Sequence, residues 1–413
     1  MSEDKSETRR EEDREVSSEA DQTQATPDHD PVRAFGAASF LNDTGSDMIS
    51  AVWPNYLKTY LGLPFVFVLA IDGLAQTVTA LAKVSAGYAS DRTGRRKPFI
   101  IAGYSMASIS RLGFALSTVF SPGLFQAAAL KTMDRLGKIR GPPRDAIVAD
   151  CAEKRHRGRS FGFLRAMDTA GALFGSILAV LLFGTLGYAG IFLLATIPSL
   201  FSVLIVLRFI RDKRGRDVFK GISFRNLDKN LKILLLASLL LAMATYSYSF
   251  IILFAGGLGW DEAQAPLLYV LFNLVYAGSA LPFGAASDKY GRKSILLTAA
   301  VLLVLTSLWS NVATNMLMVL PMLVFFGLVN GALDPVQTTF VADLVEPERR
   351  GTIIGGFQMA IGLAALPGGV IIGYIADAYS LVTAFHYSVV LTMAAIVLLL
   401  LVRSQKVERT TPA

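Results

Sequence analysis

From residue 34 to residue 404 the chain alternates long apolar runs with short polar interruptions. Each run is about 20 residues or slightly more, the length at which an α-helix crosses the hydrocarbon core of a bilayer. The pattern predicts spans over roughly 35–58, 66–90, 98–118, 122–150, 160–183 and 189–210, then, after a basic connector at 211–228, over 229–256, 264–287, 294–312, 316–343, 353–377 and 382–403. Charged residues make up 17% of the chain and apolar residues 53%, against about a quarter charged in soluble domains. Length and composition together predict an all-α membrane protein with twelve transmembrane helices.

The polar segments supply the orientation. Residues 1–33 are nearly free of apolar side chains, too poor in them to offset the entropy of ordering. They read as a disordered N-terminal tail, without the apolar core of a cleavable signal, and 405–413 as a second short tail. Lys and Arg gather in alternate loops: DRTGRRK (91–97), EKRHRGR (153–159), RDKRGRDVFK (211–220), DKYGRK (288–293) and EPERRG (346–351). The intervening loops carry almost none. This positive-inside pattern places both termini on the cytoplasmic side of the cell membrane. The net charge of +7 is thereby accounted for by topology, and no nucleic-acid partner is implied. One cysteine, Cys151, excludes an internal disulfide. His29, His156 and His386 lie far apart without ligand spacing, so no metal or cofactor is expected. No phosphate-binding loop or catalytic constellation is present either, which argues against an enzyme or an ATP-driven pump.

The two halves resemble each other. SAGYASDRTGRRK (85–97) recurs as PFGAASDKYGRKS (282–294), aligning Asp91 with Asp288, Gly94 with Gly291 and Arg95 with Arg292. IVADCAEKRHRGRSFGF (147–163) recurs as FVADLVEPERRGTIIGG (340–356), aligning Asp150 with Asp343 and Arg157 with Arg350. Both landmarks follow the second and fourth spans of their half, so a six-span unit is duplicated: 34–210 and 229–404. The first landmark resembles the loop signature of the major facilitator superfamily, and its copy resembles the degenerate second signature of that family. The resemblance covers residues 34–404. It implies two six-helix bundles related by pseudo-two-fold symmetry, a central cavity and alternating access.

The signature residues have physical uses. Gly87 and Gly284 suit close helix approach, and Gly94 and Gly291 suit a tight turn. Asp91 and Asp288 end their spans where a carboxylate can meet a basic group or a helix N-terminus; Arg95, Arg96 and Arg292 follow. By resemblance these groups form a cytoplasmic gate that latches the outward-open state. Asp150, Arg157, Asp343 and Arg350 either bridge their own loop or pair with the first landmark.

Ionisable groups within apolar spans are costly and normally face a cavity or a partner. They concentrate in the first half: Asp43, Asp47, Asp72, Lys83, Arg111, Lys131, Asp134, Arg135, Lys138, Arg140, Arg144, Asp145, Arg165 and Asp168. The second half has little beyond Asp334. Asp43 and Asp47 are four apart and share a helix face near mid-span; two such carboxylates cannot both ionise cheaply, the property a proton carrier or cation ligand needs. Pairing with arginines of spans four or five is the structural alternative. Asp134, Arg135, Arg144, Asp145, Arg165 and Asp168 complete a candidate coupling network. An Arg in span four resembles the family's drug–proton antiporters, although Ile139 stands where their motif places a glycine. RGPPRDAIVAD (140–150) joins the repeated landmark to charges that the second half lacks; Pro142 alone has its counterpart, Pro335, which predicts a shared bend. Tyr246, Tyr248, Asn273, Tyr276, Asn330, Asp334, Gln337 and Gln358 are candidates for the opposite cavity wall.

The expectation is a monomeric secondary transporter moving a small solute, with efflux favoured. It is proton-coupled through Asp43 or Asp47, with Arg135, Arg144 or Arg165 as the counter-ion. Uptake of an anionic metabolite or chelate by symport is the nearest alternative. A non-transporting membrane sensor or scaffold is the alternative of another class; it would lose the gate signatures, and both are intact.

Overall fold

The computed structural model describes residues 30–120, 123–151, 157–210, 228–346 and 350–402, and among them all regular secondary structure is helical. The first half comprises α1 (Asp30–Asn55), α2 (Phe65–Thr93), α3 (Lys97–Ser117), α4 (Leu124–Leu136 and Gly141–Cys151, joined by a 3-10 turn Gly137–Arg140), α5 (157–186) and α6 (188–209). The second comprises α7 (Lys229–Ala244, resuming as Tyr248–Gly256), α8 (Ala265–Tyr290), α9 (Arg292–Trp309), α10 (Val319–Asp343), α11 (Arg350–Ala378) and α12 (Leu381–Leu401). Helix α1 starts at Asp30, inside the stretch expected to be a tail, because Val32 is buried with Phe35, Ile147 and Val148. The rest of the tail lies outside the described residues.

Nine described helical segments are long and apolar enough to cross a membrane. One of them, Gly158–Phe209, makes two passes, broken where Gly187 adopts a φ of 61°. The remaining two crossings are α1 and α4, and these are the helices whose charge lowers their hydropathy. Their charged residues are therefore what keeps these two helices from standing out by length and hydropathy. The face carrying the basic loops is called the basic face below, and the other the far face.

Glycines set the closest packing. A Cβ on Gly171 or Gly175 of α5 would lie 2.3 and 2.1 Å from the Phe40 and Thr44 carbonyl oxygens of α1. Such small-residue spacing lets backbones touch where lipid offers no hydrophobic drive for association. Between the halves, a Cβ on Gly369 or Gly373 of α11 would meet Leu69 O at 2.4 Å and Val66 Cα at 2.5 Å on α2. Thr77 donates to Gly362 O across the same seam at 2.6 Å. Gly87 and Gly284, expected at close approaches, are not. A Cβ on Gly87 would meet only Pro142, at 3.7 Å, and one on Gly284 would meet nothing within 4 Å. They lie toward the basic face, away from the tight α2–α11 seam.

Hydrogen bonds joining described residues of the two halves lie at mid-depth or nearer the far face. Asp377 of α11 accepts from the Phe65 and Val66 backbone N–H groups at 2.9 and 2.7 Å, capping the N-terminus of α2. Asp72 accepts from Trp53 Nε1 at 3.0 Å and from Ser247 Oγ at 2.7 Å. Tyr188 donates to Glu262 at 2.9 Å, and Tyr248 to Ser50 O at 3.1 Å. Toward the basic face the inward-facing Lys83, Arg165 and Asp334 are solvent-exposed. The halves are sealed at the far face and open toward the basic one.

The break in α4 follows from its sequence. Pro142 and Pro143 lack N–H groups, so two helical bonds cannot form. The Gly141 N–H turns to Lys138 O, a 3-10 bond, which releases Gly137 O; Arg140 Nη1 takes that carbonyl at 2.9 Å. The bend is not shared with the second half, since α10 runs through Pro335 as one α-helix.

Candidate functional site

The break turns the charged stretch of α4 toward α1. Asp43 falls at the middle of the 26-residue α1, and Asp47 one turn closer to the far face. Although they share a helix face, the two carboxylates have different partners. Asp43 accepts from Asn42 Nδ2 at 2.8 Å and lies 3.7 Å from Arg140 Nη2. Asp47 Oδ1 instead accepts from the Tyr269 hydroxyl of α8 at 2.6 Å and Asn273 Nδ2 at 3.5 Å. Asp43 is held within its own half; Asp47 joins the two.

The other network residues fall into two clusters. Asp134 lies 3.6 Å from the fully buried Arg111 of α3 and 3.7 Å from Arg135, and Arg111 also donates to Ser199 of α6. Arg144 donates to Ser39 at 2.7 Å and to Asp145 at 3.0 Å, and reaches Asp168 at 3.4 Å. Arg165, 76% exposed, approaches Asp168 at 3.8 Å. Arg140 stacks over the Tyr104 ring at 4.8 Å. The expected network residues thus lie in separate groupings, with Asp47 bonded to the second half. Arg140, Lys138, Arg111, Lys131, Asp72 and Lys83 belong with them and lie outside the expected set; their charge inside apolar spans is the signal that points to them. Tyr269 offers none.

The second-half wall is narrower than expected. Tyr248, Asn273, Tyr276 and Asp334 face the first half or the opening, with the Tyr276 hydroxyl donating to Asp334 at 2.8 Å. Gln358 is exposed and donates to Thr338 at 3.2 Å. Tyr246 is instead core: it is 3% exposed, stacks on Phe326 at 5.2 Å and meets Ser307. Asn330 donates to Phe326 O of its own helix, and Gln337 turns to Ser238 of α7 at 3.5 Å. Tyr246, in the interruption of α7, and Gln337 thus bond within the second half, and Asn330 within its own helix.

At the basic face the two landmarks pair within each half. Arg96 bonds Asp150. In the copy, Arg292 bonds Asp288 at 2.5 Å and Asp343 at 3.0 Å. Lys97 donates to Leu207 O, ending α6, and Lys293 donates to Leu400 O and Val402 O, ending α12. The structural counterparts are therefore Arg96 with Arg292 and Lys97 with Lys293, one position off the alignment. Arg95 is exposed. The offset has a local cause: α9 starts directly after Gly291 (φ 90°), whereas the first loop runs on through Arg95 and Arg96 after Gly94 (φ 65°). Asp91 is half-buried at the end of α2. Arg350 donates to Val345 O at 3.2 Å, and the Arg157 side chain lies outside the described residues.

Among known proteins, the model of the Major Facilitator Superfamily matches residues 35–230 and 234–413. The chain is 32% identical over 380 residues to a Methanocaldococcus jannaschii protein named "Uncharacterized MFS-type transporter MJ1317", covering 89% of this chain and 94% of the relative. It is 26% identical over 306 residues to "Multidrug resistance protein MdtH" of Aeromonas salmonicida, covering 72% and 75%. Its fold superposes on the crystal structure of a mutant of the nucleoside transporter NupG with a TM-score of 0.75 at 15% identity, covering 89% of this chain and 99% of that one.

Proposed function

The chain belongs to the major facilitator superfamily, and from that membership we propose that it is a proton-coupled secondary transporter in which Asp47 carries the coupling proton. It is a multi-pass membrane protein of a transporter family, not an enzyme. By the positive-inside rule the basic face, with both termini, is cytoplasmic, so the described state is open to the cell interior. The solute enters between α4 and α5 on one side and α7, α8 and α10 on the other.

The observation that carries this reading is the 2.6 Å bond from Tyr269 to Asp47. A hydrogen bond to an ionised carboxylate is roughly twice as strong as one to a neutral acceptor. Protonating Asp47 therefore weakens a link between the halves, and the proton favours the state in which that link is broken. Asp43 is less suited to the task, because Arg140 and Asn42 hold it inside the first half. Arg140 is the counter-ion of Asp43, whereas Asp47 is bonded by the neutral Tyr269 and Asn273.

Export is supported by likeness to a multidrug resistance protein. A second reading, uptake of an anion together with the proton, is favoured by lysines in the cavity that have no carboxylate in contact. The test is solute flux into proteoliposomes under an imposed pH gradient. Gradient-driven accumulation lost in Asp47→Asn, with solute exchange retained, supports the reading; full accumulation in that variant refutes it.

A further inference from the structure

The cavity's carboxylates and its cations are not equally satisfied. Asp47 is bonded by Tyr269 and Asn273, Asp334 by Tyr276, Asp43 by Asn42 and Arg140, and Asp168 by Arg144 and Arg165. The cations include groups with nothing of the kind. Among the described residues, Lys138 makes no hydrogen bond or ion pair, although Asp43 is within electrostatic reach. Lys83, at the mouth, likewise has Asp334 and Asp145 in reach but none in contact. Lys131 is 4% exposed and, among the described residues, contacts the Trp53 ring at 4.1 Å and no carboxylate. Arg135 approaches Asp134 by Nε at 3.7 Å and has Tyr248 and Tyr269 within electrostatic reach.

Lys138 and Arg135 are only half-buried, so their charged donors stay open to the cavity, where an acceptor group of a solute can reach them. Such a site has its acceptors occupied and its strongest donors waiting, so it calls for a ligand rich in acceptors and negatively charged. A cationic ligand would have to break existing carboxylate bonds and sit beside Arg135 and Lys138. Near these groups α7 and α8 carry an aromatic series, with Tyr269 and Phe272 buried and Tyr248 and Tyr276 half-buried. Tyr248 lies 4.7 Å from Tyr269 and 5.8 Å from Phe272, and Phe272 lies 6.0 Å from Tyr276 with the rings 5° from parallel.

We propose that the solute is an organic anion with a flat apolar body, its negative group taken by Arg135 and Lys138 and its body by Tyr248, Tyr269, Phe272 and Tyr276. This rests on the transporter reading and specifies its cargo. It also sets the sign of coupling: an anion and the proton on Asp47 neutralise neighbouring charges and bind together, so both cross in one direction. Under an inward proton gradient that direction is uptake, so the inference favours the second reading above over export.

The test is thermal unfolding of the full chain in detergent with three probes of matched shape: benzoate, benzyl alcohol and benzylammonium. Benzoate is expected to raise the midpoint saturably, and the other two are not. Lys138→Gln and Arg135→Gln are each expected to weaken benzoate about tenfold or more, since each removes a charged donor, while Lys138→Arg restores binding. The unliganded midpoint of each variant separates lost binding from lost folding, and the two glutamine variants are independent. Stabilisation by benzylammonium equal to that by benzoate, no stabilisation by any probe, or unchanged benzoate affinity in both glutamine variants overturns the proposal. No gradient is used, so the outcome is separate from proton coupling. A protein that binds benzoate through Lys138 yet shows no coupling loses only the coupled reading, and one that couples but prefers benzylammonium loses only this one.

Discussion

The Tyr269 hydroxyl on α8 donates to Asp47 Oδ1 on α1 at 2.6 Å, so a titratable group of the first half is bonded directly to the second. Asp43, one turn away on the same helix, makes no such link; it faces Arg140 in its own half. Two carboxylates that the spacing made equivalent are divided by their partners, one held within its own half and the other bonded across the halves.

Removing the donor should release the far face. Tyr269→Phe is expected to shift the equilibrium toward a far-open state by about 1.5–3 kcal/mol, the range for a hydrogen bond to a charged group. The alkylation rate of a cysteine at Ile49, in a Cys151→Ser background, reads this from the far side. Ile49 is 4% exposed and lines a recess with Ser46, Ser50, Phe114, Lys131 and Asp134, so faster modification in the variant is the expected result.

Asp377 caps α2 from the other half. Loss of a helix cap costs about 1 kcal/mol, and here the cost falls only on the state in which the far face is closed. Asp377→Ala should therefore raise the same alkylation rate about fivefold and leave the unfolding midpoint nearly unchanged.

The offset between the two landmarks separates neighbouring arginines. Arg96→Ala breaks the pair with Asp150, whose arginine side chain is 7% exposed, and should lower thermal stability by about 1–3 kcal/mol. Arg95→Ala, at an exposed position, should stay within about 0.5 kcal/mol. Equal effects in calorimetry would restore the alignment of Arg95 with Arg292.

At the α2–α11 seam, Gly369→Ala forces a methyl group to within 2.4 Å of Leu69 O. Overpacking of this kind costs about 1–3 kcal/mol. Gly278→Ala, where nothing lies within 4 Å, is the neutral comparison in the same melting experiment.

The twelve crossings were legible because hydrophobic length is a local property: the expected span 229–256 coincides with Lys229–Gly256, and 98–118 with Lys97–Ser117 to one residue. The first-half concentration of charge was legible for the same reason. Which charges pair was not, because it depends on long-range geometry. Arg140 meets Asp43 from the 3-10 turn that precedes Pro142 and Pro143, and Pro335 in a similar setting leaves α10 continuous. Tyr246 and Tyr248 are two apart and look alike in sequence, yet one stacks into the core on Phe326 and the other reaches Ser50 O across the halves. Helical phase around the interruption of α7 at residues 245–247 decides between them.

Proton linkage through Asp47 is tested most directly by a distance across the far face as a function of pH. Spin labels at Val119 and Leu317, exposed positions in opposite halves, report it without any solute, in a Cys151→Ser background. Asp47 is faced by Asp43 on its own helix, Arg135 and Lys138 on α4, and Tyr269 and Asn273 on α8, so the same titration in Asp47→Asn isolates its part. Acidification should populate a longer distance in the unaltered Asp47 protein, and Asp47→Asn should show one pH-independent distribution. An undiminished pH response in Asp47→Asn would contradict the account.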